Sequence, residues 1–191
     1  MSTLPDAAHA SESDSASVSP PISGFVPELF LRRFGKAVEQ HDGAALAALF
    51  ATDGIYYDCF HGAFTGRVAI AALIDDWFYR TARDFRWTFH DPVFDGATLY
   101  ARYAFSYRSN LERAPDGRVG FEGVSIMRIG DGLIREYREV AHTGPVLAAL
   151  NFAPERIAAV MAKHNRQVWA SSAFSAHREI EGGDLLETPA P

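Results

Sequence analysis

The chain has 191 residues and a formal net charge of −6, from 18 basic and 24 acidic residues. This length predicts one domain, with or without terminal tails. Because acidic residues outnumber basic ones and no basic run occurs, the composition argues against a nucleic-acid partner. No apolar run approaches the roughly 20 residues that a membrane helix needs, so no membrane partner is expected.

The single cysteine, Cys59, excludes an internal disulfide and suits a reducing compartment. The N-terminus has neither the basic start nor the apolar core of a secretion signal, which predicts a cytoplasmic protein. The seven histidines show no metal-ligand spacing, and no glycine-rich phosphate loop is present. We therefore expect neither a metal ion nor a cofactor.

Both ends of the chain differ in composition from its middle. Residues 1–24 are small, polar and rich in Pro and Ser, which predicts a disordered tail. Residues 167–191 have a similar composition and predict a flexible tail. The folded domain is therefore expected over residues 25–166, including a C-terminal helix.

Three segments of the first half predict helices from their apolar spacing. They cover residues 25–42, 43–54 and 65–84, with a strand at 55–58 between the second and the third. Gly54 is expected to close the second helix. The inner face of the third helix is predicted from its apolar residues, Ile70, Leu73, Ile74, Trp77 and Phe78.

The apolar period then changes from that of a helix to the alternation of strands. Strands are predicted at residues 85–94, 97–110, 118–130 and 133–142, separated by glycine-containing turns. A last helical piece follows at 153–165. The order predicts an α+β fold in which three N-terminal helices pack on the concave face of a curved antiparallel sheet.

Three stretches of the chain carry a family pattern. They are RRFGKAVEQHDGAALAALFATDGIYYD at 32–58, GRVAIAALIDDWF at 66–78 and GDGLIREYREV at 130–140. Together they resemble the nuclear transport factor 2-like superfamily, also called SnoaL-like or ketosteroid isomerase-like. The resemblance implies a cone-shaped domain. It leaves the reaction open, since the superfamily includes isomerases, cyclases, dehydratases, epoxide hydrolases and domains without catalysis.

The resemblance also places individual residues. Asp58 falls on the general base of the ketosteroid isomerases, but Phe34 replaces the tyrosine that donates to the oxyanion, and Ser125 lies near their second donor. Glu139 falls on the last-strand acid of limonene epoxide hydrolase, whose other two residues fall near Tyr103 and Phe105. Neither known set is complete, which implies a SnoaL-like protein with its own pocket chemistry.

An acid at the end of an otherwise apolar strand is costly unless it is paired, hydrogen-bonded or used. Asp58 is therefore predicted as a catalytic acid/base; the alternative is an aspartate that caps the following turn. His61 follows three residues later and could complete a proton relay with Asp58, or could be an exposed loop residue.

Glu139 is the second predicted acid. It alternates along the last strand with Tyr137, so both are expected to face into the cone, where burial would raise the pKa of Glu139. The alternative is a surface ladder of Arg and Glu pairs.

An aromatic cavity wall is predicted from one face of the strand at 97–110, although a register error of one residue would exchange its faces. Tyr57 and Ser125 are expected to orient substrate or stabilise an oxyanion. The predicted substrate-binding residues are Phe34, Tyr57, Trp87, Tyr103, Phe105, Tyr107, Ser125 and Tyr137.

These features predict a cofactor-independent acid/base enzyme of the isomerase, cyclase, dehydratase or hydrolase type, acting on an apolar small molecule. The alternative is a non-catalytic ligand-binding or dimerisation domain of the same fold. A homodimer is expected through the outer face of the sheet, since Val124 and Ile126 lie on one face of their strand, and Phe121 and Met127 on the other. The C-terminal helix could instead cover that face.

Overall fold

The computed structural model of the protein describes residues 24–180. Most of the disordered tail predicted at residues 1–24 and the last part, 181–191, of the flexible tail predicted at residues 167–191 lie outside the described residues. The remainder of the second tail contains helix, up to Ala170 and again at Ser175–Ile180.

The N-terminal half contains the three predicted helical segments. Helix α1 spans Pro27–Glu39 and α2 spans Gly43–Ala48, where the Asp42 side chain accepts a hydrogen bond from the Ala45 amide. The second helix ends before Gly54, because strand β1 begins at Phe50 and pairs with the last strand at Ile134. The expected closure at Gly54 is therefore wrong: tertiary pairing recruits these residues into the sheet.

The third helical segment is irregular. It runs through α3 (Gly66–Ala72), a π-helical stretch (Leu73–Phe78) and α4 (Tyr79–Thr81). Leu73 and Ile74 are buried as predicted. Trp77 is only partly buried, at 44% exposed, although its ring still packs 4.9 Å from that of His61. A π-helix takes more residues per turn than an α-helix, which rotates Trp77 off the buried stripe.

A single six-stranded sheet forms the body of the domain. In spatial order it runs β2-β1-β6-β5-β4-β3. Its strands are β1 (Phe50–Asp58), β2 (Gly62–Thr65), β3 (Ala82–Phe94), β4 (Thr98–Ser109), β5 (Val119–Gly130) and β6 (Leu133–Ala141). All neighbours are antiparallel except β1 and β6, which are parallel. The predicted antiparallel sheet thus has one parallel pair, since no hairpin joins β1 to β6.

Irregularities in β3 accompany the bend of the sheet. Its register with β4 shifts between Arg83 and Arg86 and again between His90 and Val93. Asp84 and Asp91, which lie at these two shifts, have positive φ angles of 54° and 52°. Extra residues of this kind bend a strand and increase its twist, which is consistent with the expected cone.

The hydrophobic core joins helices and sheet. Helix α1 packs against β3, and α3 packs against β1. Phe34 from α1 and Leu73 from the third segment are fully buried in the same cluster as Tyr56 and Tyr137 from the sheet. The predicted α+β class is confirmed.

The C-terminal part adds helices beyond the sheet. They are α5 (Thr143–Ala149), α6 (Pro154–Ala170) and α7 (Ser175–Ile180), with a 3₁₀ turn at Ser172–Phe174. Helix α6 contains the predicted helical piece and continues past the domain boundary predicted at residue 166. Within residues 24–180, no helix is long and apolar enough to cross a membrane.

Candidate active site

A small cavity of about 80 Å³ opens at the end of the cone; we call it the inner cavity. The three predicted catalytic residues, Asp58, His61 and Glu139, all line it. Four of the predicted substrate-binding residues also line it: Trp87, Tyr103, Phe105 and Tyr107. The structure therefore brings together acids from β1 and β6 with the aromatic faces of β3 and β4.

Asp58 is the buried anchor of the loop between β1 and β2. Its Oδ1 accepts hydrogen bonds from the amides of Phe60 (3.0 Å) and His61 (2.8 Å). The same oxygen lies 2.7 Å from Nδ1 of the His61 ring. An ionised carboxylate can only accept, so Nδ1 carries the hydrogen and Nε2 remains free to take a proton. Both sequence interpretations of Asp58, the turn cap and the proton relay, thus describe real contacts.

Glu139 faces Asp58 across the cavity and is hydrogen-bonded to residues of the cavity wall. Its Oε2 accepts hydrogen bonds from the hydroxyls of Tyr103 (2.7 Å) and Tyr137 (3.1 Å). Burial, together with the nearby charge of Asp58, raises the pKa of Glu139 to about 7, although the hydrogen bonds from Tyr103, Cys59 and Tyr137 oppose that rise. Glu139 is therefore a carboxyl group that exchanges a proton near neutral pH.

The tyrosines around Glu139 remain donors. Burial raises the pKa of Tyr103 and of Tyr137 above the ordinary range, and that of Tyr107 to about 12. Ser125 Oγ lies 3.0 Å from the Tyr137 hydroxyl, which gives a chain of hydrogen bonds from Ser125 through Tyr137 to Glu139. These hydroxyls fix the position of the Glu139 carboxylate.

Four predicted substrate-binding residues do not line the inner cavity. Phe34 is fully buried beneath it, where its ring stacks on Tyr137 at 5.3 Å. Ser125 and Tyr137 are also fully buried, behind the wall. Tyr57 lies under the guanidinium of Arg138, 3.7 Å from its ring centre, because neighbouring residues of a strand point to opposite faces. The predicted substrate contact of these four residues is not supported by the cavity lining.

Two cavity-lining residues carry unpartnered polar atoms: Trp87, which was predicted to bind substrate, and Tyr56, which the sequence prediction missed. The Tyr56 hydroxyl and Trp87 Nε1 are buried and make no hydrogen bond among the described residues. Both residues line the inner cavity. Strand alternation could have identified Tyr56, which shares the inward face of β1 with Asp58. A buried donor without a partner is costly, so these two groups favour a ligand or water oxygen in this cavity.

The same region holds three groups of metal-ligand type. One carboxylate oxygen each from Asp58 and Glu139 and the Cys59 sulfur lie within 4.8 Å of one another. Burial raises the pKa of the Cys59 thiol well above its usual value. Because a thiol binds metals as its thiolate, Cys59 fits the role of a neutral donor to Glu139 better than that of a ligand.

Gly123 makes room for this arrangement. A Cβ atom at this position would lie 2.5 Å from the Val140 carbonyl oxygen and 2.6 Å from the Tyr103 hydroxyl. We expect Gly123→Ala to lower the free energy of unfolding by about 1–3 kcal/mol, as overpacking does, and to displace Tyr103 from Glu139. Urea unfolding measures this, with Gly117→Ala as control, since a Cβ there contacts nothing within 4 Å. Equal stability of the two variants would contradict the expectation.

A larger outer cavity of about 590 Å³ adjoins the inner one. Phe60, His61, Thr81 and Tyr107 line both, so the two cavities share a wall that includes the histidine. The rest of the outer wall comes from the end of β4, the following loop, α5 and α6.

The curved sheet, the packed helices and the acids at the cone end define a protein of the nuclear transport factor 2-like fold. The chain belongs to the SnoaL-like domain family, whose model matches residues 31–137, more than half of the chain. Among proteins with curated descriptions, none matches this chain by sequence.

Several solved structures share the fold. A protein of ketosteroid isomerase-like fold from Catenulispora acidiphila, solved with trimethylamine, has a TM-score of 0.57 and 19% identity over 65% of this chain and 97% of its own. An LEH-like epoxide hydrolase from M. tuberculosis has a TM-score of 0.53 and 18% identity, covering 65% of this chain and 88% of its own. A protein assigned as a polyketide cyclase from Xanthomonas campestris pv. campestris has a TM-score of 0.52 and 19% identity, covering 65% and 96%. At such identities these likenesses support the fold alone.

Proposed function

We propose that the protein is a cofactor-independent acid/base enzyme of the isomerase, cyclase, dehydratase or hydrolase type, acting on a mostly apolar small molecule. The observation that carries this proposal is the 2.7 Å contact between His61 Nδ1 and Asp58 Oδ1, in a cavity that also contains Glu139. A histidine oriented by a carboxylate, with a second acid nearby, is a common arrangement of groups for proton transfer.

Each group has a distinct role in this proposal. His61 takes a proton from the substrate at Nε2, while ionised Asp58 holds the ring and stabilises the imidazolium that forms. Glu139, with a pKa of about 7, is partly protonated at neutral pH and returns a proton to another atom of the substrate. The net result moves one proton across the substrate and leaves one proton to pass from His61 to Glu139 before the next turnover.

The unpartnered donors complete the site. Charge that develops on a substrate oxygen needs a fixed donor, and such stabilisation is usually the largest catalytic contribution. Tyr56 and Trp87 each offer one donor in the cavity wall. A ligand oxygen bound there would satisfy groups that the folded chain leaves without a partner.

Proton abstraction can be tested without the natural substrate. Nitrobenzisoxazole opens to a coloured phenolate when a base removes one carbon-bound proton, and its reaction is followed by absorbance. We expect the wild-type protein to accelerate this reaction and His61→Gln to lose about 10²-fold or more of the rate. This loss of rate should occur only when a residue of the inner cavity is replaced.

His90→Gln provides the matched control for that experiment, because His90 is an exposed histidine on β3 outside the inner cavity. The control variant should keep the wild-type rate. A wild-type rate no higher than that of free imidazole, or equal rates for His61→Gln and His90→Gln, would remove His61 from the proposal.

Two observations favour the alternative of a non-catalytic ligand-binding domain. Asp58 Oδ1 accepts two backbone amides, as a purely structural turn cap would. In addition, the inner cavity, at about 80 Å³, is smaller than the usual pocket for a small molecule. Binding of an apolar dye without any acceleration of proton abstraction would favour this second function.

We also propose a homodimer through the outer face of the sheet. The alternation predicted for β5 is present: Met127 is fully buried, whereas Val124 is 38% exposed. Val124 pairs across the strands with Val140, which is 66% exposed, so apolar side chains adjoin on the outer face. Helix α6 was the alternative cover for this face, but its Val160 lines the outer cavity instead. A patch of this kind is typical of an interface.

The dimer can be tested by charge introduction. Val140→Asp is expected to give a monomer in light scattering at micromolar concentration, because a charge in the interface would lose its hydration. Val68→Asp on α3 is the control, since Val68 is 87% exposed and lies away from the sheet face. A wild-type monomer, or a Val140→Asp dimer, would contradict the proposal.

A further inference from the structure

The outer cavity has a basic wall, although the whole chain carries a net charge of −6. Arg113, Arg156 and Lys163 line it, together with His164. Among residues 24–180, no aspartate or glutamate lines this cavity. The local charge is therefore opposite to that of the protein as a whole.

Two elements bring these cations together. Arg156 and Lys163 are seven residues apart on α6 and share one face with Ala159 and Val160, which also line the cavity. Arg113 comes from the loop after β4. Its guanidinium lies over the Phe152 ring, 4.0 Å from the ring centre. This stacking restricts the guanidinium and leaves its N–H edge free to bind an anion.

The loop that carries Arg113 is also fixed at its backbone. The side-chain amide of Asn151 donates a hydrogen bond of 2.8 Å to the Arg113 carbonyl oxygen, which links the loop to the end of α5. The position of Arg113 at the cavity is thus set by two contacts, one to its backbone and one to its side chain.

The basic wall has no internal counter-charge in the described part of the chain. The ion pairs found between residues 24 and 180 involve other basic residues, and none includes Arg113, Arg156 or Lys163. A concave surface lined by one sign of charge concentrates ligands of the opposite sign.

The sizes of the two cavities indicate how a ligand would use them. Ligand pockets usually measure about 300–1,000 Å³. The inner cavity, at about 80 Å³, accepts only a fragment, whereas the outer cavity, at about 590 Å³, accepts a whole small molecule. Because His61 lines both, a ligand that reaches His61 can place one part in each cavity.

We propose that the substrate is an amphiphilic anion. Its apolar end enters the aromatic inner cavity, and its carboxylate, sulfonate or phosphate group binds Arg113, Arg156 and Lys163 in the outer cavity. This inference rests on the proposed function, because it names the substrate class of the same site. It narrows the sequence prediction of a mostly apolar small molecule to one that also carries an anionic group.

Two dyes that share one skeleton can separate the contribution of charge to the binding affinity from that of apolar contact. Anilinonaphthalene sulfonate is anionic, and phenylnaphthylamine is the same skeleton without the sulfonate. We expect fluorescence titration to show that the wild type binds the sulfonate about tenfold more tightly than the neutral dye. The double variant Arg156→Glu/Lys163→Glu should lose this difference in affinity. Binding of the neutral dye should be unchanged in that variant, and raising the salt concentration should weaken only the sulfonate.

Arg166→Glu is the control variant, since Arg166 lies on the same helix but does not line the outer cavity. It should keep the preference for the sulfonate. Equal affinity of the wild type for both dyes, or equal loss in Arg166→Glu and the double variant, would overturn the proposal. The nitrobenzisoxazole assay tests catalysis independently of the dyes. Acceleration of that reaction without a preference for the sulfonate would reject the anion site but not catalysis. A preference for the sulfonate without acceleration would reject catalysis but not the anion site.

Discussion

Replacing Asp58 with asparagine is expected to reduce turnover by about 10²–10⁴-fold while changing the melting temperature little. The loss follows because a neutral amide cannot stabilise the imidazolium that His61 becomes when it takes a proton. The fold should persist because the amide oxygen can still accept the hydrogen bonds that Oδ1 receives from the amides of Phe60 and His61. Rates with nitrobenzisoxazole, or with a natural substrate, measure the first effect, and thermal unfolding measures the second.

Asp58→Ala separates structure from chemistry at the same position. It removes the acceptor of both backbone amides, so we expect a further loss of about 1–3 kcal/mol in the free energy of unfolding. Asp42 offers a control, because its side chain also accepts the amide three residues ahead, that of Ala45 at 2.8 Å, but it does not line the inner cavity. Asp42→Ala should lose stability and keep its rate.

Full turnover in Asp58→Asn would show that Asp58 acts as a cap alone. Strong destabilisation by both Asp58 variants, in a protein that binds a dye without accelerating proton abstraction, would favour the ligand-binding domain.

The fold could be predicted because its signals are local. Alternation along residues 97–110 places Tyr103, Phe105 and Tyr107 on one face, and these three line the inner cavity. The parallel pairing of β1 with β6 has no such signal, because the register between distant strands depends on how the whole sheet assembles. The early end of α2 is a consequence of that pairing.

The two predicted acids lie close together because of both a local signal and that pairing. Asp58 and Glu139 each lie on the inward face of a strand, and the parallel pairing brings those strands side by side. Tyr57 was assigned to the wrong face because it directly precedes Asp58; alternation instead selects Tyr56.

The outer cavity could not be predicted from the sequence. Arg113, Arg156 and Lys163 are isolated exposed cations in the chain, and none forms part of a basic run. Only the packing of α5 and α6 beyond the sheet brings them to one surface. The sequence composition, which is acidic overall, gives no sign of a local basic surface.

Replacing Glu139 with glutamine is expected to stabilise the protein above neutral pH and to change the pH dependence of its stability. The ordinary pKa of 4.5 applies in the unfolded chain, and burial raises the folded value to about 7. Between these values the folded state holds more protons than the unfolded state, so the free energy of unfolding falls as the pH rises from about 4.5 to about 7. The loss amounts to about 3 kcal/mol when the carboxyl group is fully ionised.

Glutamine removes this cost and can still accept the hydrogen bonds from Tyr103 and Tyr137. The variant should therefore be more stable than the wild type at about pH 8 and nearly equal to it at about pH 4, where both side chains are neutral. Catalysis that uses Glu139 should lose its titration near neutral pH together with most of its rate. Urea unfolding and rate measurements across this pH range test both effects.

Glu136→Gln is the control on the same strand, because Glu136 pairs with Arg138 at 2.7 Å on the outer face and does not line the inner cavity. It should leave the wild-type decline in stability between about pH 4.5 and about pH 7 in place, because that decline comes from Glu139. A decline that persists in Glu139→Gln would show that another group causes it and that Glu139 does not exchange its proton in this pH range. In that case His61 would be the remaining proton-transfer group of the site, and the acid that returns the proton would have to come from the substrate or from water.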